Sequence, residues 1–297
     1  MMRELDALFE RQARNWPQFA AGLAGLARAR TRRVRIDWFE VFIRHIPHRM
    51  ASTTAAVDRE SVARRPCFLC ARNLPPEEEG LPFGDDFTIY CNPFPIVDRH
   101  LTIVHSEHRP QRIANQFARM LDLAAALTGY FVIYNGPQCG ASAPDHMHFQ
   151  AGSRVLFPIE KDSLNLDGIT IPRYARNVFV FRGRDRSALV NRMEGALDLL
   201  VEMTCKGPEP MVNIAAFYAG GEWTVYLFPR AKHRPQVFHT GELTVSPASI
   251  DLCGILVVPL AHDFEKITAE AVAAIFREVT WPQEQFNQAA QKLEEAP

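Results

Sequence analysis

His146, His148 and Gln150 stand at every second position of Asp145-His146-Met147-His148-Phe149-Gln150. On a strand, alternate side chains share one face. Two imidazoles and an amide therefore project together, while Met147 and Phe149 point into a core. Just upstream, Gly140-Ala141-Ser142 is a run of small residues that lets backbone N–H groups come close to an anion. An imidazole beside an amide and a group of donors suits attack on a phosphorus atom. A second constellation is Pro66-Cys67-Phe68-Leu69-Cys70. Its spacing serves zinc sites and redox pairs alike. No thioredoxin-like βαβ pattern follows, which favours zinc.

These residues need a frame to position them. Tyr130 to Tyr134 reads as a strand and the histidine segment as the next. Residues 111–128 repeat apolar side chains at helical spacing, with Ile113, Phe117, Met120, Leu121, Ala124 and Leu127 as core candidates and Gly129 as the stop. Phe87 to Cys91 and Leu101 to Val104 read as strands joined through Asn92-Pro93-Phe94-Pro95. Together they make an α+β unit ending near Gly152. Residues 1–29 read as helical, interrupted at Pro17, with Leu5, Leu8, Phe9, Leu23 and Leu26 facing inward. The arginines from Arg28 to Arg35 read as a solvated turn before the apolar run Trp38 to Ile43, and 73–86 as loop.

The second half reuses parts of this plan. Ser187 is placed to cap a helix to Thr204, and Val212 to Phe217 and Trp223 to Phe228 form a hairpin around Gly220-Gly221. Gly254 to Val258 reads as a strand and Thr268 to Val279 as a helix. The stretch Val225 to Pro235 echoes Leu101 to Pro110, both running into His-Arg-Pro, which suggests an internal duplication. Only the first half has His-x-His-x-Gln. The expected organisation is an N-terminal segment at 1–64, a catalytic half at 65–165 and a degenerate second half at 166–297.

Composition sets the class. The chain has 297 residues, 47% of them hydrophobic, enough for a buried core, and its net charge of −1 provides no field for nucleic acid or a membrane surface. No apolar run is long enough to cross a bilayer. Acids stand near the N-terminus, where a signal peptide would be cationic, so a cytoplasmic protein is expected. Cys91, Cys139, Cys205 and Cys253 read as small buried hydrophobes.

The motifs resemble the histidine-triad superfamily, and most of all its transferase branch of galactose-1-phosphate uridylyltransferase, diadenosine tetraphosphate phosphorylase and GDP-L-galactose phosphorylase. Hydrolases of the superfamily usually end the motif in a third histidine, where this chain has Gln150. The resemblance implies an antiparallel sheet with packed helices, duplicated within the chain. It implies His148 as the nucleophile that forms a nucleotidyl-histidine on a nucleoside-diphosphate sugar or dinucleoside polyphosphate, with phosphate or a sugar phosphate as acceptor. Gln150 and Ser142 would stabilise the phosphoryl oxygens. Asn92 matches the ribose-binding position, although it also suits a turn before Pro93. His100, Asn135, Gly140 and Ala141 are assigned to the nucleotide.

Zinc-containing members of the superfamily place ligands where Cys67, Cys70, His108 and His146 stand, with His105 as a rival to His108. The implied zinc is structural. Arg230, Lys232, His233 and Arg234 form a cationic cluster that reads more readily as a solvated strand end than as a phosphate or leaving-group site facing the first half, and Arg49 is a similar, weaker phosphate candidate. A hydrolase of the same superfamily, or a zinc-stabilised nucleotide-binding protein without turnover, are the alternatives. The expected partners are a small nucleotide and its acceptor, and the chain is expected to act as a monomer or homodimer. Base, sugar and acceptor selection is expected to rest on loops such as 155–175 and 235–250.

Overall fold

The alternation that sets His148 beside Gln150 extends across a sheet of eight strands. The computed structural model describes residues 1–154, 157–204 and 209–295. Its strands are β1 (Arg30–Ile36), β2 (Phe39–His45), β3 (Gly80–Phe83), β4 (Phe87–Cys91), β5 (Leu101–His105), β6 (Tyr130–Asn135), β7 (His148–Ser153), β8 (Phe179–Gly183), β9 (Val212–Ala219), β10 (Glu222–Pro229) and β11 (Ile255–Val258). The large sheet runs β3-β4-β5-β7-β6-β9-β10-β8 and is antiparallel throughout. A small sheet, β1-β2-β11, lies apart from it. The main helices are α1 (Met2–Asn15), α2 (Pro17–Ala27), α3 (Phe117–Ala126), α4 (Arg186–Thr204), α5 (Ala269–Val279) and α6 (Gln283–Glu295).

The α+β, histidine-triad-like expectation holds, and the duplication is visible in the topology. Each half is a strand, a helix and two strands: β5-α3-β6-β7 and β8-α4-β9-β10. In the sheet these run β5-β7-β6 and then β9-β10-β8, a two-fold arrangement about the β6–β9 pair. Ile133 faces Ala215 at its centre. The echo between β10 and β5 is misleading, because β10 occupies the place of β7 and the counterpart of β5 is β8. Two apolar strands that each end in His-Arg-Pro resemble one another whatever their position in a sheet.

One face of the large sheet is packed by helices. Leu5, Phe117, Met120, Met193, Leu197 and Phe286 meet Met147, Phe149, Ile214 and Leu227 in one core. On the other face, a second core gathers Phe131, Val180, Phe217, Tyr226 and Phe228 under the small sheet and α5. Arg176, with no exposed surface, sits there among the rings of Tyr174, Phe276 and Phe39, at 4.1, 4.9 and 5.1 Å.

Four local readings change. The arginine run is a strand, not a turn: Val34 and Ile36 point inward from β1, while Arg30 and Arg32 lie over the ring of Phe264. Charged side chains suit such an edge strand. Within 73–86, Gly80–Phe83 adds an edge strand to the large sheet. The α4 helix is capped by Asp185, whose carboxylate accepts from the Ala188 N–H at 2.9 Å, so Ser187 lies inside the helix. The α3 helix starts only at Phe117, because the backbone before it turns at Asn115 and Gln111 is drawn towards β7. Among the described residues no helix is long and apolar enough to cross a membrane.

Candidate active site

A cavity of about 700 Å³ opens on the face of β4, β5 and β7 that the helices leave free. Tyr90 and Asn92, Thr102 and Val104, and His148 and Gln150 line it, each pair spaced by two as one strand face requires. Met147 and Phe149 are buried on the opposite side, as the alternation predicts.

His148 is 4% exposed, and its backbone is pinned on both sides by Gln111. The Gln111 carbonyl oxygen accepts from the His148 N–H at 2.7 Å, and its amide donates to the His148 and Asn135 carbonyls, both at 3.0 Å. The His148 Nδ1 lies 2.8 Å from the His146 carbonyl oxygen, which can only accept. The proton is therefore on Nδ1, and Nε2 carries a lone pair. Burial pushes the imidazole down to about 4, so the ring is neutral at physiological pH.

The Gln150 carbonyl oxygen lies 3.1 Å from His100 Nε2. His100 is 1% exposed; burial, then the nearby Arg49 charge, push it down to about 3. Its Nδ1 accepts from the Ile96 N–H at 3.4 Å, so Nε2 holds the proton and donates to Gln150. The amide NH2 of Gln150 is the end left for a ligand.

The small-residue loop lines the same cavity through Gly140, Ala141, Ser142 and Ala143. Gly140 has φ +117°, and a Cβ there would come within 2.6 Å of Ala248, so glycine is required. Among the described residues, the N–H groups of Gly140, Ser142 and Ala143 find no hydrogen-bond acceptor. Ala143-Pro144-Asp145, between Ser142 and His146, folds as a turn closed by the His146 N–H on the Ala143 carbonyl.

The four implied metal ligands converge. Cys67 Sγ lies 3.3 Å from His146 Nδ1, and Cys70 Sγ lies 3.2 Å from His108 Nδ1 and 3.6 Å from His146 Nδ1. All four donor atoms fall within 4.8 Å of one another. Zinc–sulfur and zinc–nitrogen bonds at a tetrahedral angle put S and N about 3.5 Å apart, so the set fits zinc. His146 Nε2 is 2.8 Å from the His105 carbonyl oxygen, which holds the ring with Nδ1 towards the thiols. His105 itself turns away, its Nδ1 accepting from the Glu107 N–H. Cys67, Cys70, Cys91, Cys139 and Cys253 are free; Cys205 lies outside the described residues.

Other assigned residues are spread more widely. Asn92 lines the cavity, but its side chain also donates to Thr102 Oγ1 and accepts from the Phe94 N–H, both at 2.9 Å, the turn role. The Asn135 side-chain oxygen accepts from Asn213 and Ser249, tying the halves together beside the cavity. Arg49 and His233 line the cavity. Burial lowers Arg49 to about 10, which leaves it charged, and His233 to about 4, which leaves it neutral. Arg230 does not face the cavity: its buried guanidinium donates to Asn213 and to the carbonyls of Val279, Pro247, Lys232 and His233. Lys232 is exposed and pairs with Glu278 at 2.9 Å.

Two contributors escape sequence reasoning. Gln111 gives no signal, because its role is to bridge strands far apart in sequence. Arg65 lines the cavity and donates to the Ser142 carbonyl at 2.9 Å, with one guanidinium nitrogen buried and unpaired. Its place just before Pro66-Cys67 was the one available hint. Arg234, by contrast, belongs to the cationic cluster the sequence shows; it lines the cavity and donates to the Thr53 and Ala55 carbonyls at 2.9 Å, which brings the 50–56 segment against the second half.

Residues 8–153 match a family model described as a domain of unknown function, DUF4922, and residues 161–296 match the GDPGP1-like C-terminal domain. A galactose-1-phosphate uridylyltransferase from Caldanaerobacter subterraneus subsp. tengcongensis is 32% identical over 81 residues, 26% of this chain; the match spans only 15% of that relative. The crystal structure of yeast Ap4A phosphorylase Apa2 has a TM-score of 0.63 at 19% identity, covering 89% of this chain and 95% of that one. The same enzyme in complex with Ap4A gives 0.57 at 16% identity, over 89% and 96%. The structural likeness shows the fold. Together with the two domain matches and the relative, it supports the resemblance to the branch that includes galactose-1-phosphate uridylyltransferase.

Proposed function

We propose that the protein transfers a nucleotidyl group from a nucleoside-diphosphate sugar or a dinucleoside polyphosphate to inorganic phosphate or a sugar phosphate. The observation that carries this reading is the fixed tautomer of His148, whose Nδ1–H donates to the His146 carbonyl. The Nε2 lone pair attacks the α-phosphorus, and the bond to the bridging oxygen breaks with its electron pair leaving on that oxygen. The nucleotidyl-imidazolium that forms keeps its Nδ1–H bond to the carbonyl. An oxygen of the acceptor then attacks the same phosphorus, and the N–P electrons return to Nε2. The Gln150 amide and the unpaired N–H groups of the Ser142 loop are positioned to donate to the phosphoryl oxygens as charge builds. Glutamine holds the intermediate without offering water an acid, which supports transfer over hydrolysis.

Cys67, Cys70, His108 and His146 would hold zinc, a closed four-ligand site that clamps the 67–70 segment to the start of β7. Its chemistry is structural, and no step passes through it. In this reading residues 65–165 are the catalytic half, 166–297 the degenerate half and 1–64 an N-terminal segment. The protein works in the cytoplasm as a monomer or homodimer.

The test is incubation with a panel of nucleotide sugars and dinucleotides, read by intact mass. A covalent nucleoside monophosphate is expected on the wild type, discharged by phosphate or a sugar phosphate. His148→Ala should reduce it to background with the fold retained. Tight binding with no adduct on the wild type would leave a binding protein, and nucleoside monophosphate released by water alone would indicate a hydrolase.

A further inference from the structure

One wall of the cavity belongs to neither hydrophobic core. Residues 47–66 connect the end of β2 to Cys67, and none of their side chains joins either cluster. Among the described residues of this segment, Thr53 alone is buried. It folds as a 3-10 turn at Pro47–Arg49 and two short helices, Met50–Thr53 and Arg59–Ala63, each too short to be stable alone. Yet Ala51, Ser52, Ala55, Val57 and Ser61 line the cavity that holds His148. Both ends are fixed. His48 Nε2 lies 2.8 Å from the Pro95 carbonyl oxygen, and Arg49 donates to the Phe94 carbonyl at 3.3 Å. At the other end Arg65 donates to the Ser142 carbonyl at 2.9 Å. Between these anchors, from Met50 to Arg64, only two hydrogen bonds among the described residues reach the rest of the chain. Both come from one nitrogen of Arg234, to the Thr53 and Ala55 carbonyls at 2.9 Å.

Arg234 is itself braced within the second half. Its Nε donates to Ser246 Oγ at 3.2 Å, and its guanidinium lies over the Phe238 ring at 4.3 Å. Its Nη1 has no hydrogen-bond partner among the described residues, and the side chain lines the cavity. We infer that residues 50–64 form a lid on the cavity and that Arg234 is its latch, a positioning residue supplied by the second half. Release costs two hydrogen bonds and exposes no core side chain, which makes this stretch a low-stability part of a rigid frame. On the nucleotidyl-transfer reading, opening admits and releases the nucleotide. Closing keeps water from His148, which favours transfer over hydrolysis. A ligand drives closure only through contacts it makes in the closed state. A phosphoryl oxygen on Nη1, while Nη2 holds Thr53 and Ala55, is such a contact.

Hydrogen–deuterium exchange read by mass spectrometry tests the latch on the full chain, first unliganded and then with GDP, ADP and UDP in turn. In the unliganded wild type, amides of 50–64 should exchange faster than those of β6 and β7. Arg234→Ala should speed exchange in 50–64 by on the order of 10- to 100-fold, the net worth of two hydrogen bonds, and leave β6 and β7 unchanged. Arg234→Lys, which keeps the charge and a donor, should restore part of the protection. If Arg234→Ala does not fold, Ser246→Ala removes only the brace and should loosen the same segment by about threefold. A nucleotide that binds the wild type should slow exchange in 50–64 and should dissociate about tenfold faster from Arg234→Ala. Wild-type protection at 50–64 equal to that of β7 overturns the latch. So does exchange in the variants that rises equally along the whole chain, or not at all. The unliganded comparison decides the latch whatever binds. If none of the three nucleotides alters exchange anywhere, the nucleotidyl-transfer reading fails while the latch stands.

Discussion

The two halves of the large sheet share a topology and differ in what lies on one face. About the Ile133–Ala215 pair, Ile133 is paired with Gln150 on β7 and Ala215 with Tyr226 on β10. Two residues back along each strand, Thr224 takes the place of His148. In the first half this face is left open and carries an imidazole, an amide and a hydroxyl at Thr102. In the second half the same face is closed by the small sheet and α5 over Tyr226, Phe228 and Phe217. The fold thus allows either a core or a site on this surface. What decides is whether the inward positions are apolar enough to recruit a covering layer. The second half still contributes: Arg234, Ser246 and Asp251 form part of the cavity wall.

The sharpest way to test this contrast is at the paired positions. Gln150→Ala should slow adduct formation by about 100- to 1000-fold, the usual loss for one donor to a developing oxyanion. Its melting temperature should scarcely move, because the side chain is half-exposed and held only by His100. Stopped mass-spectrometric sampling gives the rate, and a loss of stability matching the loss of rate would show a structural glutamine instead. Cys67→Ser should lower metal content per chain, read by plasma mass spectrometry, and cost about 3 kcal/mol in chemical denaturation. Cys67 is buried against His146, so the anchor of β7 loosens with it. Unchanged metal content would remove Cys67 from the ligand set.

How much of this was readable in the chain follows from where each signal lies. The His-x-His-x-Gln alternation and the Cys-x-x-Cys pair are local, so they survive in one dimension. The helix at α3 was legible because its buried side chains recur at helical spacing, although its first turn was not. There, Gln111 leaves the helical pattern to bond backbone on β6 and β7, a long-range demand that no window of sequence contains. Arg230 misled for the opposite reason. A cluster of cations looks like a phosphate site until the carbonyls that surround one of them are known. The β1 strand was missed because arginines on alternate positions read as solvent-facing, which they are, while Val34 and Ile36 between them decide the fold.

A pH-dependent effect separates the wall from the site. Asp251 is 7% exposed, accepts from the Ala248 and Val257 N–H groups at 2.8 Å, and is raised by burial to about 6. Its folded value lies above the unfolded one, so the folded protein holds the proton longer. The stabilisation is complete at pH values below the unfolded carboxyl range, and is lost as pH rises through about 6. That rise corresponds to a fall of about 3 kcal/mol between about pH 3 and pH 8. Asp251→Asn should flatten that slope in urea titrations at stepped pH. An equally steep slope in the variant would assign it to another group.

The smallest effect is the most discriminating. Tyr226 is 1% exposed, and its hydroxyl lies 2.7 Å from Ser163 Oγ, itself fully buried. Ser163 keeps a second, longer bond to the Glu160 carbonyl at 3.4 Å, so removing the tyrosine hydroxyl does not strand it. Tyr226→Phe should therefore cost about 1 kcal/mol in chemical denaturation, the net worth of one buried hydrogen bond. The rate of adduct formation should not change, since the face it occupies is sealed from the cavity. Gln150 and its counterpart would then trade places: one substitution changes chemistry and spares stability, and the other does the reverse. A tenfold change in adduct rate on Tyr226→Phe would mean that the covered half is coupled to the open one through the β6–β9 pair, and that the second half is more than a wall.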